Sequence, residues 1–152
     1  MTRRRHSSRR TAATHPIVYR REDFVARVGE ITQGKKLPVV YDSVGKDTFY
    51  KSLDCLAPLG LMASFGQSSG AIGPVDIGIL AGKGSLFLTR PTLNTYTASR
   101  EDLLTAAREL FEVVQSRAVK ITINQTYPLQ DAARAHRDLE GRKTTGQTVL
   151  TV

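Results

Sequence analysis

The chain has 152 residues, 22 Lys and Arg against 14 Asp and Glu for a net charge of +8, 40% hydrophobic residues and one cysteine. That length fits a globular chain with a sizeable core, and the apolar share is too high for a disordered one. One cysteine excludes a disulfide scaffold and a cysteine-rich zinc site, and it sets the reducing cytoplasm as the expected compartment; no apolar run reaches the roughly 20 residues that span a bilayer, and no secretory signal is present, so no membrane partner is expected.

The charge is unevenly placed. Arg3, Arg4, Arg5, Arg9 and Arg10 sit in the first ten residues, and without them the balance falls to +3. Residues 1–13 read as a basic, disordered leader. No aromatic residue is interleaved with these arginines, so there is no stacking platform, and nucleic acid is the weakest of the partner readings. Beyond the leader, β-rich runs are expected at Pro16–Tyr19, Val39–Tyr41, Leu61–Phe65, Leu86–Thr89, Val119–Ile123 and Thr148–Val152. Helical stripes lie between several of them. Phe24, Val28 and Ile31 share one face, and Gly34 is placed to end that helix. Phe49, Leu53 and Leu56 form the next stripe. The clearest helix runs from Arg100 to Ser116, with Ser99 and Asp102 as a capping pair and Leu103, Ala107, Leu110, Phe111 and Val114 as its apolar stripe. The last predicted helix covers Leu129–Leu139 and stops at Gly141.

This alternation predicts an α/β fold with a parallel sheet covered by helices. The run Leu37–Tyr41 has little polar alternation, as a strand buried on both faces should. Three expected strands finish in small, polar or turn-forming residues: Asp42-Ser43-Val44-Gly45, Gly66-Gln67-Ser68-Ser69-Gly70 and Arg90-Pro91-Thr92. Open α/β sheets bind ligands outside the carboxyl ends of their strands, so these three loops form a candidate rim. They read equally well as ordinary strand-to-helix turns.

Catalytic motifs are absent from the sequence. There is no G-x-G-x-x-G fingerprint, no P-loop spacing around Gly78–Gly84, and no nucleophile elbow. His6, His15 and His136 share no metal-ligand spacing with one another or with Cys55, which reads as a core residue. No catalytic residue and no metal ligand is assigned.

The stretch from Val39 to Leu93, with VVYDSVG, SFG-x-SSG and GSLFLTRP, together with the closing R-K-T-T-G segment, resembles the NADPH-dependent quinone oxidoreductases. These form the zinc-free branch of the medium-chain dehydrogenase/reductase superfamily that includes zeta-crystallin. The resemblance starts near Thr14 and continues to the C-terminus. It implies an incomplete Rossmann-like parallel sheet with flanking helices over residues 14–118. Residues 119–152 would be a C-terminal helix and strand returning to a GroES-like catalytic domain that is not in this sequence; the final strand would then lack a partner. Members of that family are longer, so the chain is expected to be a C-terminal piece of such an enzyme, with weak or no activity alone.

The resemblance also implies site residues. Tyr19 would lie near the adenosine end of NADPH, and Ser43 and Val44 would border its ribose and pyrophosphate. Phe65 and Gly66 would line the nicotinamide, with Arg90 and Pro91 beside it, and Arg142 would approach from the side of the other domain. Plain structural roles stand beside these: Tyr19 as a strand residue, Phe65 as a core aromatic, Arg142 as a helix-end charge. The implied reaction is hydride transfer from NADPH, without zinc, to a quinone or related electrophile. Two partners are implied, a second copy pairing through the edge strand Leu86–Thr89 and a separately encoded N-terminal half. The alternative function is a non-catalytic dimerisation or partner-binding remnant.

Overall fold

The computed structural model describes residues 13–152, so the arginine-rich leader lies outside the described residues. Those residues form two compact units, Ala13–Ala98 and Ser99–Val152.

The first unit is built on a parallel sheet of three strands, β1 (Leu37–Asp42), β2 (Leu56–Ser64) and β3 (Phe87–Thr89), in that spatial order. Helix α1 (Phe24–Ile31) precedes β1. Asp23 caps it by accepting the Val25 N–H, and the Gly34 N–H closes its end on the Gly29 carbonyl. Helix α2 (Phe49–Asp54) joins β1 to β2. Its residues Phe49 and Leu53 pack with Leu56, Met62 and Leu86 to make the core. Helix α3 (Gly78–Gly82) adds Ile79 and Leu80 to that core, and Lys83 at its end pairs with Asp54 of α2. A short helix α4 (Leu93–Tyr96) follows β3. Parallel strands need a crossover on a sheet face, and α2 supplies it here.

The register brings the ends of the strands level. Asp42 pairs with Ser64, and Ala63 pairs with Thr89. On β2 the chain loops out between Leu56 and Leu61, where Leu59 takes φ +61° and its N–H bonds the Gly84 carbonyl.

The second unit opens with α5 (Arg100–Gln115), whose first turn is closed by Ser99: its hydroxyl accepts the Asp102 N–H and donates to the Asp102 carboxylate. Then come β4 (Ile123–Pro128), a single 3₁₀ turn (Leu129–Asp131), α6 (Ala132–Glu140) and β5 (Gln147–Thr151). The Tyr127 hydroxyl donates to Asp138 at 3.0 Å and ties β4 to α6.

Four expectations need correction. Pro16–Tyr19 is not a strand: the Val18 carbonyl accepts the N–H groups of Arg21 and Glu22, which curls the chain into a turn at Tyr19. The strand expected at Val119–Ile123 instead runs over Ile123–Pro128, because that is where a partner lies, with Ile123 opposite Gln147 and Pro128 opposite Thr151. The closing strand therefore does have a partner, pairing in parallel with β4. The stripe expected to bury α5 is also not packed away; none of the helix's residues is buried.

Candidate functional site

The site is assembled at the carboxyl edge of the three-stranded sheet, and it starts from one acid. Asp42, the last residue of β1, is only 4% exposed. An ionised carboxylate offers about four acceptor positions, and here all are used. Oδ1 accepts the Val44 N–H at 2.7 Å and the Gly45 N–H at 3.0 Å. Oδ2 accepts the Thr48 and Ser52 hydroxyls, both at 2.7 Å. Thr48 precedes α2, but its hydroxyl does not cap that helix; it turns to Asp42 instead. Burial pushes the Asp42 carboxyl up, but the bonds from Gly45, Thr48, Ser52 and Val44 outweigh it and hold the group below its ordinary value.

The loop after β1 is locked onto the loop after β2, largely backbone to backbone. The Phe65 and Gly66 N–H groups donate to the Asp42 carbonyl, at 2.9 and 3.3 Å. The Ser68 N–H reaches the Ser43 carbonyl at 3.2 Å, and the Ser69 N–H reaches the Val44 carbonyl at 2.8 Å. The Ser69 hydroxyl donates to that same Val44 carbonyl and accepts the Asp47 N–H. Gly66 sits so close to Ser43 that an added Cβ would lie 2.5 Å from the Ser43 oxygen. The third loop joins through Arg90, whose Nη1 donates to the Ser64 carbonyl at 2.7 Å.

Ser64 itself is buried, and its hydroxyl has no hydrogen-bond partner. Its register partner is Asp42, whose carboxylate is already saturated by four donors.

The residues singled out from the sequence thus fall into two groups. Ser43, Val44, Phe65, Gly66, Arg90 and Pro91 come together on the loops that leave the three level strand ends. Phe65 is 51% exposed there, so it is not a core aromatic. Tyr19 lies before α1 and meets the Phe24 ring edge-on, with centroids 6.5 Å apart. Arg142 belongs to the second unit, where it is exposed and takes φ +57°. Sequence reading placed Asp42 in the loop but missed it as the anchor, along with Thr48, Ser52 and Ser69. The available signal was an Asp closing an apolar strand, followed by a turn and by hydroxyls four residues apart on the next helix.

No group of three or more His, Cys, Asp or Glu able to hold a metal occurs among the described residues. The single thiol, Cys55, is buried, and burial followed by Asp54 pushes it up to about 11. These residues do not compose a donor set for zinc.

The edge of a parallel sheet carrying interlocked small-residue loops defines a class, that of nucleotide-type α/β domains. The family profile described as zinc-binding dehydrogenase matches residues 11–150, and the chain belongs to that family. Within it the likeness is to quinone oxidoreductases. The chain is 52% identical over 143 residues to the quinone oxidoreductase of Pseudomonas aeruginosa, covering 94% of this chain and 44% of that protein. It is 52% identical over 146 residues to quinone oxidoreductase 1 of Escherichia coli, covering 95% and 45%. The solved structure of the Escherichia coli quinone oxidoreductase complexed with NADPH superposes with a TM-score of 0.93 at 49% identity, over 100% of this chain and 47% of that one. A 2-haloacrylate reductase superposes with a TM-score of 0.80 at 42% identity, over 93% and 44%. The chain spans about half the length of these relatives and corresponds to their C-terminal half.

Proposed function

We propose that the loops at the carboxyl edge of β1, β2 and β3 receive NADPH and that the chain is the cofactor-binding part of a quinone-type reductase. The observation that carries this reading is the level register of the strand ends, Asp42 with Ser64 and Ala63 with Thr89, which gathers three loops at one sheet edge. The likeness to an NADPH complex supports the choice of cofactor. In this reading Ser43 and Val44 border the ribose and pyrophosphate. Phe65 offers an exposed ring to the nicotinamide, with Gly66, Arg90 and Pro91 around it, and Tyr19 lies toward the adenosine. When bound, NADPH supplies the hydride that a quinone or related electrophile accepts. The chain's part is to orient and enclose; none of the rim residues is asked to move a proton. The one free thiol fits a reducing, cytoplasmic setting.

These 152 residues include no glycine-rich pyrophosphate turn of the G-x-G-x-x-G type. Taken alone they should bind NADPH weakly, and turnover should require further residues that supply that turn. Titration of the chain with NADPH, followed by cofactor fluorescence, tests both parts. Saturable binding in the high-micromolar to millimolar range is expected, with competition by NADP⁺. No binding at millimolar NADPH would refute the cofactor site, and low-micromolar binding with quinone turnover would refute the need for that turn.

A second reading, a homodimer or partner-binding remnant, is favoured by one feature. β3 is an edge strand of its sheet, and Phe87, Leu88 and Thr89 are all exposed. An isologous pair through this edge would extend the sheet across a two-fold axis. Leu88→Lys should then shift the sedimentation coefficient toward the monomer, and an unchanged value would remove the pairing.

A further inference from the structure

The carboxylate of Asp42 faces two ways, and only one of them serves the helix. Through Oδ2 it holds Thr48 and Ser52 at the start and middle of α2. Through Oδ1 it holds the amides of Val44 and Gly45, in the turn whose Ser43 and Val44 border the proposed cofactor. We infer that Asp42 is the positioning residue of the crevice: by fixing Val44 and Gly45 it aims the Ser43 and Val44 carbonyls at Ser68 and Ser69, and so sets the relative placement of both cofactor-facing loops. The inference rests on the cofactor reading above for its effect on affinity, but its effect on loop order does not.

The route is short and continuous. From Oδ1 it passes to the Val44 amide, then from the Val44 carbonyl to the Ser69 N–H at 2.8 Å and the Ser69 hydroxyl at 2.7 Å. The same hydroxyl accepts the Asp47 N–H at 3.0 Å, and the Lys46 N–H donates to the Gly70 carbonyl at 3.3 Å, so the far loop is held from both sides of the turn. Gly45 takes φ +86°, and its Cβ, if present, would meet the Gln67 Cα at 2.9 Å. The turn that Asp42 enforces is therefore also the turn that lets the second loop approach. A buried acid that caps two consecutive amides is a rigid device, since each bond has lost its competition with water. Holding a site in its bound shape saves the ordering cost that a ligand would otherwise meet.

Four variants of the full 152-residue chain separate positioning from plain structural support. Ser52→Ala removes one Oδ2 bond and leaves the Oδ1 arm intact; it should lower the unfolding midpoint without changing NADPH affinity. Asp42→Asn keeps an acceptor oxygen for Val44 and Gly45 while the hydroxyls turn to accept, and it should restore near-native affinity. Asp42→Ala loses both bonds of the arm and should raise the NADPH dissociation constant about tenfold, the order of the ordering cost that a loosened loop passes to its ligand. It should also speed amide hydrogen exchange at Ser68, Ser69 and Gly70 beyond the general increase across β1 and α2. Ser69→Ala removes the hydroxyl's bonds to the Val44 carbonyl and from the Asp47 N–H while the Ser69 N–H keeps its own bond to Val44, and it should weaken NADPH binding in the same direction, by less.

The outcomes are distinct. If the native chain fails to bind NADPH at millimolar concentration, the cofactor reading falls, and exchange at Ser68–Gly70 still decides whether Asp42 sets the loop. If Asp42→Ala raises the dissociation constant no more than Ser52→Ala does, with uniform exchange, Asp42 is structural only and the inference is overturned. If Asp42→Ala does not fold, unchanged binding and exchange in Ser69→Ala would overturn it equally.

Discussion

Gly66→Ala is the most direct probe of how tightly the loops lock. The added Cβ would stand 2.5 Å from the Ser43 oxygen, 2.8 Å from its Cα and 2.9 Å from its carbonyl carbon. All three atoms are backbone, so no side chain can swing aside. Nor is Ser43 free to retreat: its carbonyl accepts the Ser68 N–H, and the next two residues are tied to Asp42. Relief must come from separating the loops, which breaks the bonds from Phe65 and Gly66 to the Asp42 carbonyl. Forcing one extra methyl into a packed, unyielding site costs about 1–3 kcal/mol. Taking about 2 kcal/mol, and a unit the size of Ala13–Ala98, the unfolding midpoint should fall by roughly 8–16 °C. Circular dichroism melts measure it, and NADPH titration of the same sample should show weakened binding as the rim opens. A native midpoint together with native affinity would refute the claim that these loops are held by close backbone contact.

Three other outcomes follow from individual groups. Gly29→Ala, within α1, meets no atom within 4 Å of the new Cβ and should stabilise the chain by about 0.5–1 kcal/mol, read from denaturant unfolding. Asp42 is held below its ordinary titration range when folded, burial being outweighed by the bonds it accepts. Its contribution to stability is therefore present above the unfolded carboxyl's range and lost as pH falls through the folded value; Asp42→Asn should flatten the acid limb of a stability–pH curve, and an unchanged limb would contradict the assignment. Cys55 has the opposite sign: with its thiol raised to about 11 by burial and by Asp54, the stability it contributes is complete below the ordinary thiol range and declines as pH rises through the folded value. Iodoacetamide should label it slowly in the folded chain and rapidly in denaturant, as mass spectrometry would show.

The elements legible in the sequence are those whose signal is local. β1 announces itself as an apolar run ended by Asp42, though it is not buried on both faces as expected, since Val39 and Tyr41 are exposed; the start of α5 is announced by Ser99 and Asp102, which the structure shows bonded to each other. Elements set by distant partners were read less well. Val119 and Ile121 have strand-like side chains but lie before the first paired residue, whereas the polar Asn124 and Gln125 form the strand because Thr145, Gln147 and Thr148 meet them. Helix α3 has two glycines in five residues, a composition that argues against a helix. It forms because Asp76 accepts the Gly78 N–H and because Ile79 and Leu80 reach the core. The early part of β2 was invisible for a similar reason, since Leu59 holds a left-handed conformation that only its bond to Gly84 makes sensible.

The site divides along the same line. That small and polar residues crowd the strand ends was plain from composition; that one buried acid organises them was not, because Thr48, Ser52 and the amides of Val44 and Gly45 converge on Asp42 only after β1 and α2 have docked. The convergence also explains which rim positions are constrained. Ser43, Gln67 and Ser68 are exposed and hold the frame largely through backbone atoms, so their side chains are free to differ without loosening it. Asp42, Gly45, Gly66 and Ser69 have no such freedom, since each supplies a carboxylate, a positive φ, a missing Cβ or a two-way hydroxyl that backbone alone cannot replace. On the proposed cofactor reading, a crevice built this way separates two tasks: its frame is carried by a few buried, half-buried or glycine positions, and the nicotinamide end is left to meet exposed side chains such as Phe65.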